Sequence, residues 1–269
     1  ASLLKSFWIE MNYFKMSIGD QIAQLSNTMY PSFYTPFMPY SNYNEDNYQG
    51  FEIGVNYNKS FGDFQVTIGA NFLNVTSEVK KLDELVAYNY LSRIGRSTSA
   101  IRGLEVATDK FYTKADFAES GSLIETLPVP QFGEVKPGDI KYVDQNGDNL
   151  IDNNDMRFIG KSLFPNTVGV NMLLKYKSFG LFVLCKGQSG AEAMLNGDYY
   201  WVAGDNKYSS IVRGRWTEET ASTATFPRLS SKTNNNNFRN STFWLYDKSY
   251  FDIDRVQLTY DLHKNLCNK

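Results

Sequence analysis

The sequence predicts an all-β chain built of antiparallel hairpins, and three observations carry that prediction. Several segments alternate apolar and polar residues with a period of two, the signature of a strand with one apolar and one polar face. The composition is 15% aromatic, with 18 Tyr, 19 Phe and 19 Gly, which favours strands and turns over helices. The spacing between strands is uneven, with very short turns at one end and long polar connections at the other.

The first strand is expected near the start, where Phe7, Ile9, Met11 and Tyr13 alternate loosely with polar residues. A clearer one places Phe51, Ile53, Val55 and Tyr57 opposite Glu52, Gly54, Asn56 and Asn58. After a turn read at Lys59 to Asp63, Phe64, Val66, Ile68, Ala70 and Phe72 form the return strand. A second hairpin aligns Val168, Val170, Met172, Leu174 and Tyr176 with Phe179, Leu181, Val183 and Cys185 across Lys177-Ser178. A last strand carries Val256, Leu258, Tyr260 and Leu262. The stretches 16–48, 76–165 and 188–245 are read as long loops.

Short turns opposite long loops mark an outer-membrane barrel, and the mean hydropathy of −0.40 fits one, because lipid-facing and lumen-facing residues alternate. A soluble β-sandwich produces the same alternation, with a covered face in place of a lipid-facing one. Aromatic residues at strand ends and recurring Gly and Asn on the polar face favour the barrel. Neither model needs a helical span, and no apolar run reaches the length of one.

Other classes find little support. Net charge is −2 with no basic tract, which argues against nucleic-acid binding. Cys185 and Cys267 have no metal-ligand spacing; Cys185, in an apolar strand, reads as a packed or lipid-facing residue. The single histidine, His263, reads as an exposed loop residue rather than a base. No G-x-S-x-G or H-E-x-x-H stands in the chain, and no carboxylate pair marks a glycosidase, so no enzyme activity is expected. The run Asn234 to Asn237 reads as a flexible loop tip, and Tyr199, Tyr200 and Trp201 as loop aromatics that either stack on sugar rings or pack within the loop.

One loop suggests a cation. From Asp144 to Asp155 the oxygen-bearing Asp144, Asn146, Asp148, Asp152 and Asp155 fall at positions 1, 3, 5, 9 and 12, with the Leu150 carbonyl at position 7. That is the spacing of a Ca²⁺ loop, although position 6 is Asn149 rather than Gly and position 12 is Asp rather than Glu. The competing reading is an Asx-rich turn held by its own hydrogen bonds. A metal here is expected to be structural.

Four segments together resemble the SusC/RagA family of TonB-dependent outer-membrane transporters. Asn47 to Asp83 resembles the family's "kGfEl" hairpin. Pro137 to Gly190, with PGDIKYVDQNGDNLIDNND, resembles its "pGDikykDlNGDgvId.nD" block, and is the most specific match. RWTEETASTATFPRL, Arg215 to Leu229, resembles "rWtpen...a..PRl", and STFWLYDKSYFDIDRVQLTYDLHKNL resembles "s.fWl.dgsYlRlknv.LgYtlPk.l", with Asp252, Ile253, Asp254 and His263 departing from it. The resemblance implies part of a large transmembrane antiparallel β-barrel of about 22 strands with long extracellular loops. The plug and the final strands of the family have no counterpart here, so a fragment spanning residues 1–269 is expected. It further implies an outer-membrane channel importing glycans or peptides, working with TonB, with a SusD-like surface lipoprotein as lid and with the rest of its own barrel. A soluble calcium-dependent β-rich binding or adhesion module is the alternative.

Overall fold

The computed structural model describes residues 6–27, 38, 40–202 and 209–262. His263 and Cys267 lie outside them. In chain order the strands are β1 (Phe7–Gln24), β2 (Tyr40–Phe61), β3 (Phe64–Lys81), β4 (Ala100–Gly103), β5 (Val106–Phe111), β6 (Val129–Pro130) and β7 (Ile140–Tyr142). They continue with β8 (Leu150–Ile151), β9 (Arg157–Lys161), β10 (Asn166–Tyr176), β11 (Phe179–Ser189), β12 (Glu192–Met194), β13 (Leu245–Asp247) and β14 (Tyr250–Tyr260).

The six long strands form one antiparallel sheet in the order β1-β2-β3-β10-β11-β14, in which β1 and β14 are the edges. Its register brings the apolar positions into line. One row runs Ile9, Val55, Ala70, Val170, Cys185, Ile253, and the next Phe7, Tyr57, Ile68, Met172, Val183, Val256. A third closes on aromatics at the tight-turn end: Phe61, Phe64, Tyr176, Phe179, Tyr260. Rings meet along this end, Phe7 with Tyr57 at 4.8 Å, Phe64 with Tyr176 at 6.5 Å and Phe179 with Tyr260 at 4.7 Å between centroids. Cys185 thus sits in the apolar band, as its sequence context implies.

The strands are longer than alternation alone suggests. The stretch 16–48 contains the end of β1 and the start of β2, so the connection between them runs only from residue 25 to 39. Positions 41–49, SNYNEDNYQ, are polar on both faces, which hides the strand from a hydrophobic pattern, while its backbone still pairs with β1, across register irregularities between Ile18 and Ile22, and from Glu45 onward with β3. The first tight turn is likewise shorter than Lys59 to Asp63: β2 continues to Phe61, and only Gly62-Asp63 remain, with Gly62 at φ 62°.

Among the described residues, the large fully buried side chains lie outside the six-stranded sheet. Leu104, Phe111, Ile140, Tyr142, Ile151, Phe226 and Trp244 form one core inside the β3–β10 and β11–β14 connections. Short pairings stiffen this loop layer: β4 with β9, β5 with β7, β6 with β8 and β12 with β13.

Candidate functional site

The sheet presents two unlike faces. On one, none of the described residues forms a layer over the apolar rows: Met11 is 70% exposed, Val256 64% and Leu258 75%. From Val168 to Tyr176 the apolar face of β10 runs ~27 Å along the strand, or ~21 Å in height at the tilt of a barrel strand, near the apolar band of an outer-membrane barrel. A sandwich would bury this face, because its stability comes from burying such residues against a second sheet. Phe51, Ile53, Val55 and Tyr57 cover no such core.

The opposite face is mixed. Glu10, Asn12, Glu52, Gly54, Asn71, Thr167, Gly169 and Lys186 line a shallow groove of about 410 Å³ along it. Glycine makes room for the amides: a Cβ on Gly69 would lie 2.6 Å from Asn171 Oδ1 and 2.8 Å from Asn56 Oδ1. Lys186 Nζ pairs with Asp254 Oδ1 at 2.6 Å. By register Leu73, Leu173, Phe182 and Leu184 also fall on this face, so it is less uniformly polar than the Gly/Asn pattern suggests.

The loop layer explains why its sequence segments look as they do. Asp139, fully buried, accepts hydrogen bonds from Lys136 N at 2.8 Å, Asn237 Nδ2 at 2.8 Å, Asn234 Nδ2 at 2.9 Å and Arg228 Nη2 at 3.0 Å. Arg228 Nε lies 2.8 Å from Asp139 Oδ1 without its N–H aimed along that line, so the guanidinium is held by the Nη2 bond and by charge. Asn236 Nδ2 donates to the Ile140 carbonyl at 2.8 Å, and Tyr142 Oη to the Asn236 carbonyl at 2.6 Å. The run Asn234 to Asn237 is therefore no solvated tip: Asn236 and Asn237 are buried, because side chains that both donate and accept can satisfy a buried carboxylate and the strand beside it. Gly138, at φ 91°, lets the Trp216 ring press on the backbone, where a Cβ would lie 2.4 Å from it. The PGD, RW…PRL and FW segments thus meet in one buried cluster.

Tyr200 and Trp201 pack against that core, while Tyr199 is exposed and shares a 2.8 Å hydrogen bond with Ser210 Oγ. The geometry favours loop packing for two of the three aromatics.

In the acidic loop, Asp144 Oδ1 accepts from Gly147 N at 2.7 Å and its Oδ2 from Asn149 N at 2.8 Å. Asn146 Oδ1 accepts from Asp148 N, and Asp148 Oδ1 from Leu150 N. Buried Asp155 takes Gln145 N at 2.8 Å and Asp152 N at 2.7 Å, while Asp152 Oδ1 takes Asn154 N at 2.6 Å. Asn149 adopts the left-handed conformation, at φ 61°, that its side chain tolerates. Among the described residues no three acidic, His or Cys side chains converge as a metal-binding group. Burial raises the Asp155 carboxyl; its backbone hydrogen bonds oppose this, and neighbouring Asp144 and Asp152 add to it.

No family model matches the chain, and no curated protein matches it. Solved structures do. A chain of the RagAB peptide transporter superposes with a TM-score of 0.65 at 17% identity, covering 98% of this chain and 28% of that one. A chain of the RagAB peptide importer in its closed-closed state gives 0.63 at 17% identity, covering 97% and 28%. The chain shares the fold of these neighbours, an antiparallel sheet that forms part of a larger β-barrel. The chain spans little more than a quarter of the length of these neighbours.

Proposed function

We propose that the chain forms part of the wall and the extracellular loop layer of a SusC/RagA-type outer-membrane importer. The observation that carries this reading is the apolar band, continuous in register over six strands and uncovered, opposite a groove of Glu, Asn, Thr and Lys. The apolar face meets lipid and the groove faces the lumen. The four resembling segments and the likeness to the RagAB chains support the same assignment. On it, TonB supplies the energy, a SusD-like lipoprotein closes over the loops, and the cargo is a peptide or a glycan. The role is transport, with no catalytic step.

Arginine replacement tests the orientation. Val170→Arg or Ile68→Arg should cost ~2–4 kcal/mol at bilayer mid-depth, while Asn171→Arg should cost much less. Equal costs, measured by denaturant titration of the assembled protein in lipid, would reject it. A protein that stays dispersed without detergent would favour the soluble module instead.

A structural Ca²⁺ at Asp144, Asn146, Asp148, the Leu150 carbonyl, Asp152 and Asp155 is a second proposal, motivated by the spacing of these oxygen-bearing residues along the loop. Calorimetric titration of the assembled protein, with Asp148→Ala as control, tests it. Absence of heat at millimolar Ca²⁺ leaves the hydrogen-bonded turn as the whole account of the loop.

A further inference from the structure

We infer that the groove between the loop-side ends of β2, β3 and β11 and the 161–165 segment binds a carboxylate that bears an apolar group, such as the C-terminus of a peptide. The groove encloses about 480 Å³, within the range of small-ligand sites. It lies on the polar face, where Tyr48 pairs with Ser77 and Gln188 with Thr167. Its wall is apolar at Val75, Leu163, Phe164 and Pro165, and among the described residues no acidic side chain lines it.

The hydroxyls of this groove form a directed chain. Ser77 Oγ accepts from Thr98 N at 3.2 Å and from Thr98 Oγ1 at 2.9 Å, which fills its lone pairs. Its proton therefore goes to Ser97 Oγ, 3.0 Å away. Ser97 Oγ also accepts from Ser99 N at 3.3 Å, so it donates in turn to Ser99 Oγ at 3.1 Å. Ser99 Oγ takes a further N–H from Leu163 at 3.4 Å. The Ser99 proton is left over, a donor with no acceptor of its own among the described residues.

Beside it stands Lys161. Glu192 takes the Lys161 backbone N–H at 2.8 Å, but among the described residues no carboxylate pairs with the ammonium. A second cation, Lys248, has its Nζ 4.6 Å from the centroid of the Phe164 ring. A leftover hydroxyl donor and an unpaired ammonium against an apolar wall call for a ligand that accepts, carries negative charge and offers apolar surface. A neutral sugar can accept from these donors but leaves the charge of the ammonium uncompensated.

The inference rests on the proposed transport reading only for how the ligand arrives, so it is tested by binding alone. N-acetyl-leucine and N-acetyl-leucinamide, added to the assembled protein in detergent, differ in charge and little in shape. Saturation-transfer NMR or calorimetry should find the acid bound at least about tenfold more tightly than the amide. Lys161→Gln should remove that difference and Lys161→Arg should keep most of it. Equal binding of acid and amide to the unaltered protein would overturn the inference, as would a Lys161→Gln protein that still discriminates. So would methyl α-glucoside binding in preference to either. Discrimination without vesicle uptake of a labelled peptide would instead count against transport and leave this site standing.

Discussion

Asp139→Ala tests whether the loop layer folds around its buried carboxylate. The substitution strips partners from the Arg228 guanidinium, the Asn234 and Asn237 amides and the Lys136 N–H at once. Removing one member of a buried ion pair costs about 3–5 kcal/mol, because a charge is left without compensation. The Arg228 side chain is 21% exposed and can recover some hydration, which places the expected loss near the lower end, at about 3 kcal/mol. Hydrogen exchange on the assembled protein reads this locally. Amides of Ile140, bonded to Asn237 Oδ1, and of Arg228, bonded to the Gly138 carbonyl, should exchange roughly a hundredfold faster. The β10–β11 ladder, which shares none of these contacts, should keep its protection. Unchanged exchange at Ile140 and Arg228, or equal acceleration in β10 and β11, would refute the argument.

Two further outcomes follow from single contacts. Gly50→Ala should be poorly tolerated, since a Cβ there would lie 2.2 Å from the Asn74 carbonyl oxygen and 2.6 Å from the Phe14 ring; thermal melting should fall, and a melting point equal to the parent's would contradict the packing. Burial pushes the Asp116 carboxyl up, but hydrogen bonds from Thr113 and Lys141 and the Lys141 charge outweigh it and hold it below 3.8. Its contribution is therefore present above the unfolded value and lost as pH falls through the lower folded one. Exchange at the Thr113 N–H, which bonds Asp116 Oδ2 at 2.7 Å, should stay protected at pH 5, after correction for intrinsic rates, and open only in stronger acid; opening already at pH 5 would reverse the assigned sign.

What was legible in the sequence divides along physical lines. The sheet could be read because each strand keeps one apolar face, and a period of two survives wherever that face meets a uniform environment. It failed at residues 41–49, where both faces are polar and the strand is held by backbone bonds and polar side-chain contacts such as Ser17 Oγ to Glu45 Oε1 and Gln21 Nε2 to Asp46 Oδ2. The loop layer was harder. Its core comes from Trp216, Phe226 and Trp244, which stand in irregular segments with no period to reveal them. Their size was the available signal, since large apolar residues outside strands must still be buried somewhere. The Asn run misled because composition describes a side chain's affinity for water, not the partners a fold supplies. The Asp144 to Asp155 spacing was legible as a turn, and both its left-handed Asn149 and its side-chain to backbone bonding are present.

The placement of the core bears on mechanism. A sheet whose apolar side chains remain uncovered draws little from internal burial and depends on what lies against its face, whereas the loop layer carries its own aromatic centre and its own ion pair. The two parts are joined through strand ends and a few cross contacts, such as Val79 N to the Arg96 carbonyl and Val75 N to the Pro165 carbonyl. The second of these flanks the Lys161 groove. The loop layer is expected to keep its shape, with movement where it meets β3 and β10. The groove sits on that junction. A ligand bound there would touch the sheet through Val75 and the loop layer through Lys161, and so would bridge the two parts.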